Sequence, residues 1–189
     1  DHAISDVAQQ LHLESAVVIH TAGSVSLDVL PQKNKGVLWP VYSIVKEDLP
    51  EQRNVPIVYE ANNSQSEERV LALAQAITDN TRPATTMQRQ WMHLIAALSN
   101  NFTNHIIAIA ELLSKEQQID FDLFQPILSQ TFKRVKAGNA FSSQTGAAKR
   151  NDTETMQKHL LLLASHPQWQ ELYKTLSTSI KELYNRNDK

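Results

Sequence analysis

Arg89, His93, Asn100, Asn104 and Glu111 recur at a spacing that gathers them on one side of a helix. At about 100° per residue they share an arc of roughly 60°. Trp91, Leu94, Ile95, Leu98, Phe102, Ile106, Ile109 and Leu113 make the remaining surface of that helix apolar. Ala96 and Ala97 keep bulk low between His93 and Asn100, leaving room for a ligand. A water-facing stripe is ordinarily Lys and Glu, whereas Asn favours neither a helix interior nor burial, so two on one stripe ask for a reason. His93, the imidazole of the stripe, is the member of a type suited to general acid or base work. Arg89, one turn earlier, offers a fork of donors suited to a carboxylate. Asn100 and Asn104 both donate and accept, as groups that orient a hydroxyl or carbonyl must. Two readings stand at this point. Either the stripe lines a cleft and reads a polar or anionic substrate, or it faces water and neighbouring helices as a polar seam.

The elements that carry this stripe fall into two halves. In residues 1–82, Ile4, Val7, Ala8 and Leu11 have helical spacing, and Ser15 to His20 is a β-branched run stopped by Ala22-Gly23-Ser24. Ser26 to Leu30 reads as a short helical turn ended by Pro31. Gly36 to Val45 is a second extended segment interrupted by Trp39-Pro40, Val55 to Tyr59 a third, and Ser66 to Thr78 a helix. Three strands among short helices predict a thin α/β sheet with two exposed edges. Residues 83–189 read as helices only: Ala84 to Glu116 uninterrupted, Asp120 to Ala137, a helix from Asp152 or Thr153 through Leu163, and a last one opened by Pro167.

Composition narrows the class. The 189 residues are 41% hydrophobic and 20% charged with a formal charge of −2, ordinary values for a globular protein that give no electrostatic case for nucleic acid or an anionic membrane. With no cysteine, disulfides and thiolate metal sites are excluded. No apolar run is long enough for a membrane span, and no signal-peptide pattern is visible. A cytoplasmic protein is expected, and the absent initiator Met suggests a processed or truncated product. The histidines show no metal-ligand spacing, so no metal site is expected. His105 falls on the apolar side of its helix and reads as a packing residue.

Other candidates lie in loops. Ser24 closes the first strand, where ligands bind in open α/β sheets; it either meets a ligand, or it or Ser26 caps a turn. His20 at the strand end faces either a cleft or the core. Trp39-Pro40 reads from the residues as a bulge or an edge-strand proline. In Thr145-Gly146 the glycine permits close backbone approach, and Arg150 either holds an anion or a partner subunit or, with Asp152, staples a loop to a helix start.

Four segments in order, His20-Thr21-Ala22-Gly23-Ser24, Gly36 to Pro40, His93 to His105, and Gln144 to Ala148 followed by Arg150 and Asp152, resemble Rossmann-like oxidoreductase proteins with a C-terminal helical domain of unknown function (family 2520). These look like relatives of prephenate dehydrogenase, pyrroline-carboxylate reductase and β-hydroxyacid dehydrogenase. The resemblance implies part of a Rossmann-like domain (1–82) followed by a helical bundle of the 6-phosphogluconate-dehydrogenase C-terminal type (83–189). It further implies NADP or NAD as cofactor, a small and anionic substrate, and a homodimer through the helical domain. On it, His93, Asn100 and Asn104 are catalytic, Arg89, Ser24, Arg150 and Thr145 bind substrate, and Gly23, Ser24 and Pro40 border the cofactor. The β-hydroxyacid dehydrogenase branch uses a Lys and an Asn on this helix, but no Lys occurs from Ala84 to Ser114, which leaves His93 as the replacement. Four glycines, Gly23, Gly36, Gly138 and Gly146, cannot make the G-x-G-x-x-G turn that holds a dinucleotide pyrophosphate. The expectation is therefore that this chain lacks the phosphate-binding half and binds a dinucleotide poorly by itself. The competing expectation is a noncatalytic helical dimerisation or ligand-binding module.

Overall fold

The computed structural model describes residues 1–13, 15–44, 46 and 54–185. They form two compact units, residues 1–105 and 106–189. The change from mixed to purely helical sequence after Arg82 comes earlier than this division, because the first turns of the long helix belong with the sheet.

The first unit is a four-stranded sheet in the order β1 (Val18–His20), β2 (Lys35–Pro40), β3 (Ile57–Ala61) and β4 (Thr81–Pro83). β1 and β2 run parallel, β2 and β3 antiparallel, and β3 and β4 parallel. β4 is the strand that sequence reading missed; three residues ending in Pro83 carry no alternation to detect. The second strand stops at Pro40 rather than running on to Val45, which lies outside the described residues. Pro40 pairs opposite Ile57 on the β3 side, while β1 spans only Lys35 to Val37. The missing N–H of Pro40 therefore costs no ladder bond: β2 is a local edge on that side, as the edge-strand reading of the proline expects, and no bulge is needed.

Alternation along β2 builds two cores. Leu38 packs with Ile57, Tyr59, Val70 and Ala74 beneath α2 (Ser64–Ile77). Val37 faces the other way, with Leu27, Leu30 and Ala8 of α1 (Ile4–Gln9), and Trp39 packs against that cluster. Period-2 side chains on a strand covered by helical turns on both faces give this division directly. The Ser26–Leu30 turn is a 3₁₀ turn, Leu27–Val29, capped by the Ser26 hydroxyl accepting from the Asp28 N–H. Asn63 caps α2 by accepting from the Ser66 N–H at 2.9 Å.

α3 (Thr86–Ala96) opens with a reciprocal Thr85–Gln88 capping box. A π-helical turn, Ala97–Asn101, then interrupts the expected single helix before α4 (Phe102–Glu116), which continues into the second unit. That unit adds a 3₁₀ turn at Phe121–Phe124, α5 (Gln125–Lys136), α6 (Thr153–Leu162) capped by Asp152, and α7 (Pro167–Asn185). Among the described residues no helix is long and apolar enough to cross a membrane.

Gly36 lets α2 descend onto β2: a Cβ there would lie 2.5 Å from Val70 Cγ2 and 3.2 Å from the Glu60 carbonyl oxygen. Gly36→Ala should therefore lower stability by about 1–3 kcal/mol through overpacking, read as a reduced denaturation midpoint with an unchanged slope.

Candidate functional site

The turn after β1 and the start of α3 are joined by one buried guanidinium. Arg89 is completely inaccessible to solvent. Its Nε and Nη2 donate to Glu60 Oε2 at 3.0 and 2.7 Å, and Nη2 also to Thr86 Oγ1 at 3.2 Å. Nη1 reaches the carbonyls of Ala22, Gly23 and Val25 at 3.3, 2.9 and 2.9 Å. No direction of the fork is left open for a ligand. A buried cation is tolerable only when paired and fully hydrogen-bonded, and this one is. The expected substrate-binding role of Arg89 is therefore corrected: it is a staple that fixes the Ala22–Val25 loop against α3. The same Glu60 carboxylate accepts from the Thr86 N–H at 3.0 Å and the Thr86 hydroxyl at 2.9 Å, placing negative charge at the positive end of α3.

His20 sits in this cluster and is buried. Its Nδ1 accepts from the Ala22 N–H at 3.3 Å, while Nε2 has no hydrogen-bond partner among the described residues. Burial holds its pKa below the ordinary 6.5, against the pull of the Ser26 backbone, with the Arg89 charge adding to the lowering and Glu60 opposing it. Of the two sequence readings, His20 takes the core one.

Above the staple lies an open cleft of about 640 Å³ whose lining includes Trp39, Tyr42, Ser43, His93, Asn100 and Asn101. Ala96 and Ala97 line it as well, and their small side chains leave it room. The Trp39 and His93 rings stand 6.0 Å apart, centroid to centroid, tilted by 42°. On its other side the Trp39 ring lies where a Gly23 Cβ would have to be, so that glycine is demanded by close approach. The structure thus brings His93, Asn100, Trp39 and the Gly23 backbone together.

Asn104 is outside this group. In the π turn the Phe102 N–H donates to the Ala97 carbonyl and Thr103 Oγ1 to the Leu98 carbonyl at 3.3 Å. One extra residue in the turn rotates everything after it by about 100°. Asn104 is not among the residues that line the cleft, which corrects the position expected for it, and His105 is exposed rather than packed, which corrects the role expected there. Asn101 lines the cleft in place of Asn104, its Oδ1 accepting from Asn100 Nδ2 at 3.2 Å. An i, i+5 turn has no signature in composition, so only the paired asparagines could have hinted at it.

Ser24 is half-buried beside Gly23, and since Ser26 is the cap, its hydroxyl is not tied up in that role. Pro40 ends β2 next to the cleft residues Trp39 and Val41. Thr145 and Arg150 belong to the second unit, both exposed, with Arg150 in no ion pair among the described residues. Asp152 is the α6 cap, accepting from the Thr155 N–H at 3.0 Å and its hydroxyl at 2.7 Å, bonds that hold its carboxyl below the usual range.

The chain belongs to the family described as Domain of unknown function (DUF2520), whose model matches residues 55–180. Its structure is similar to that of a Bacteroides fragilis protein provisionally named an NADP oxidoreductase, at 31% identity and a TM-score of 0.87, over 96% of this chain and 70% of that one. A Thermotoga maritima protein shares the fold at 18% identity and a TM-score of 0.80, over 98% of this chain and 76% of that one. No match is found among curated proteins. The resemblance to Rossmann-like oxidoreductase proteins carrying this domain holds, and the fold is a Rossmann-like sheet with a C-terminal helical region.

Arg89→Met removes one partner from a buried pair and should cost about 3–5 kcal/mol, measured by denaturant unfolding. A second outcome concerns pH. Because the folded state disfavours protonated His20 while the unfolded chain takes up the proton near 6.5, stability should be level above that pH and fall as pH drops below it. His20→Asn, which keeps an acceptor for the Ala22 N–H, should flatten that acid limb in Tm measured against pH.

Proposed function

We propose that this chain is the substrate-facing part of an NAD(P)-dependent oxidoreductase acting on a small polar molecule. The observation that carries the reading is the shared cleft: an imidazole and a carboxamide, His93 and Asn100, stand beside the flat Trp39 ring. The 31% identity to a protein provisionally named an NADP oxidoreductase supports the cofactor class. The residues present fit the nicotinamide end of such a cofactor, with an aromatic face and carboxamide groups; the glycines of a pyrophosphate turn are not among these residues.

A bound nicotinamide would supply hydride acceptance or donation. The residues of this chain then have separable tasks. His93 takes the proton of a substrate hydroxyl on oxidation, or gives one to the carbonyl oxygen on reduction, as a positioned imidazole can do. Asn100 holds that oxygen by a carboxamide N–H, and Asn101, bonded to it, fixes its orientation. Ser24, beside the wall that Gly23 makes with Trp39, contacts substrate or the nicotinamide. Arg89, fully engaged by Glu60 and backbone carbonyls, takes no part in holding an acidic group of the substrate.

The helical unit is proposed to form a homodimer. Leu161 and Leu162 at the end of α6 are 75% and 78% exposed, adjoining apolar side chains that a second copy would cover.

Full-length protein given NADPH and a panel of small oxo- and imino-acids should turn one of them over. His93→Ala should lower kcat/KM by about 10²–10⁴ with an unchanged melting curve, because the side chain is exposed. Wild-type turnover in that variant would remove His93 from the chemistry. Light scattering on the same preparation reads the dimer, and a monomeric mass would remove that part.

A further inference from the structure

The second unit contains a separate hollow of about 590 Å³, lined in part by Gln130, Arg134, Phe141, Thr145 and Tyr184. We propose that it binds a small carboxylate carrying a planar ring, in a site independent of the His93 cleft.

Three features point to that ligand. First, the Arg134 guanidinium has no acidic partner among the described residues, although the chain carries 20 acidic residues against 18 Lys and Arg. A guanidinium fork left open beside a hollow is suited to two parallel bonds to a carboxylate. Second, the hollow has an aromatic wall: Phe141 and Tyr184 stack with centroids 4.7 Å apart at 26°. Phe141 remains 53% exposed, so a ring laid on it would bury apolar surface in an offset stack. Third, the hollow is built before any ligand arrives. Gly138, at φ +75°, turns the chain out of α5, and the Asn139 N–H closes that turn on the Arg134 carbonyl at 3.0 Å. Lys149 Nζ then ties the far side of the loop, donating to the Gln144 carbonyl at 2.8 Å while lying 5.4 Å over the Tyr184 ring. That contact holds Lys149 against the Tyr184 face, so Arg134 offers the planar fork that a carboxylate pairs with. The Gln130 carboxamide, without a partner among the described residues, faces the same hollow.

The test is titration of the full chain with benzoate, followed by ligand-observed NMR and calorimetry, with benzamide as the uncharged isostere. Benzoate should saturate one site and benzamide should bind at least about tenfold more weakly, the size expected for a charge-assisted pair. Arg134→Gln should weaken benzoate by about tenfold or more, and Phe141→Ala, which keeps the cation, should weaken both compounds together. Both side chains are exposed, and circular dichroism checks that the variants remain folded. His93→Ala should bind benzoate as the unaltered chain does. Equal affinity in Arg134→Gln, loss of binding in His93→Ala, or an absence of saturation would each overturn the proposal. So would a change in oligomeric mass on Arg134→Gln without any benzoate binding, which would make the hollow a contact between copies.

Discussion

One buried cation organises the first unit. Arg89 satisfies its hydrogen-bonding capacity on a β3 carboxylate, an α3 hydroxyl and three carbonyls of the loop after β1. Removing a guanidinium from water is unfavourable by several kcal/mol, and Coulomb attraction to a single carboxylate rarely offsets that. The carbonyls supply the difference, and they do so only if the loop holds one shape. The arrangement therefore selects a conformation more than it adds stability. Ala22, Gly23 and Val25 cannot relax without leaving a charge unsatisfied in the interior. Ser24 is carried at the centre of that loop, and its position follows from the bonds on either side.

The π turn acts on the other wall of the cleft. In an unbroken α-helix His93, Asn100 and Asn104 would lie in one file along α3 and α4. Widening one turn breaks the file after Asn100 and substitutes Asn101. The price is a poorer backbone hydrogen-bond pattern at Ala97–Asn101, and such turns recur where a side chain must be re-aimed. Two adjacent carboxamides bonded to each other at 3.2 Å present a donor and an acceptor in fixed relation. A single Asn on a regular helix would rotate freely between the two.

Much of this was legible in the chain itself, and the failures have definite causes. Apolar spacing marks α2, while Asp152 and Pro167 announce α6 and α7, and the bounds read from sequence lie within a residue or two of those observed. The Asn63 cap of α2 went unread, so that helix begins two residues earlier than expected. The cleft residues His93, Ala96, Ala97 and Asn100 were legible from spacing, because His93 and Ala96 precede the π turn and Ala97 and Asn100 lie within it, before the shift in helix register is complete. Asn104 and His105 follow it and were misplaced. Arg89 was assigned to the right stripe and the wrong task. Periodicity says which face a side chain leaves from, but its burial depends on Glu60, 29 residues earlier in the chain, a tertiary pairing that no local window contains. β4 was invisible for a related reason: three residues acquire strand geometry only by pairing with Ile57 to Tyr59.

Trp39 joins the two constraints. Its ring is packed against the Leu27, Leu30 and Val37 cluster, lies directly over Gly23, and faces His93 across 6.0 Å. No hydrogen bond links the Ser24 loop to the imidazole; the connection is steric. An indole pinned by core contacts behaves as a rigid plate, because close-packed interiors transmit displacement rather than absorb it. A shift of the loop that Arg89 holds would move the plate, and the plate would move the wall against which a ligand meets His93. The geometry of the cleft is thus set from below by the buried charge, through a glycine that has no Cβ and an aromatic ring that cannot bend. This explains why a completely buried arginine stands one helical turn from a titratable group in an open cleft. The first supplies the order that the second requires, and neither needs to touch the same molecule.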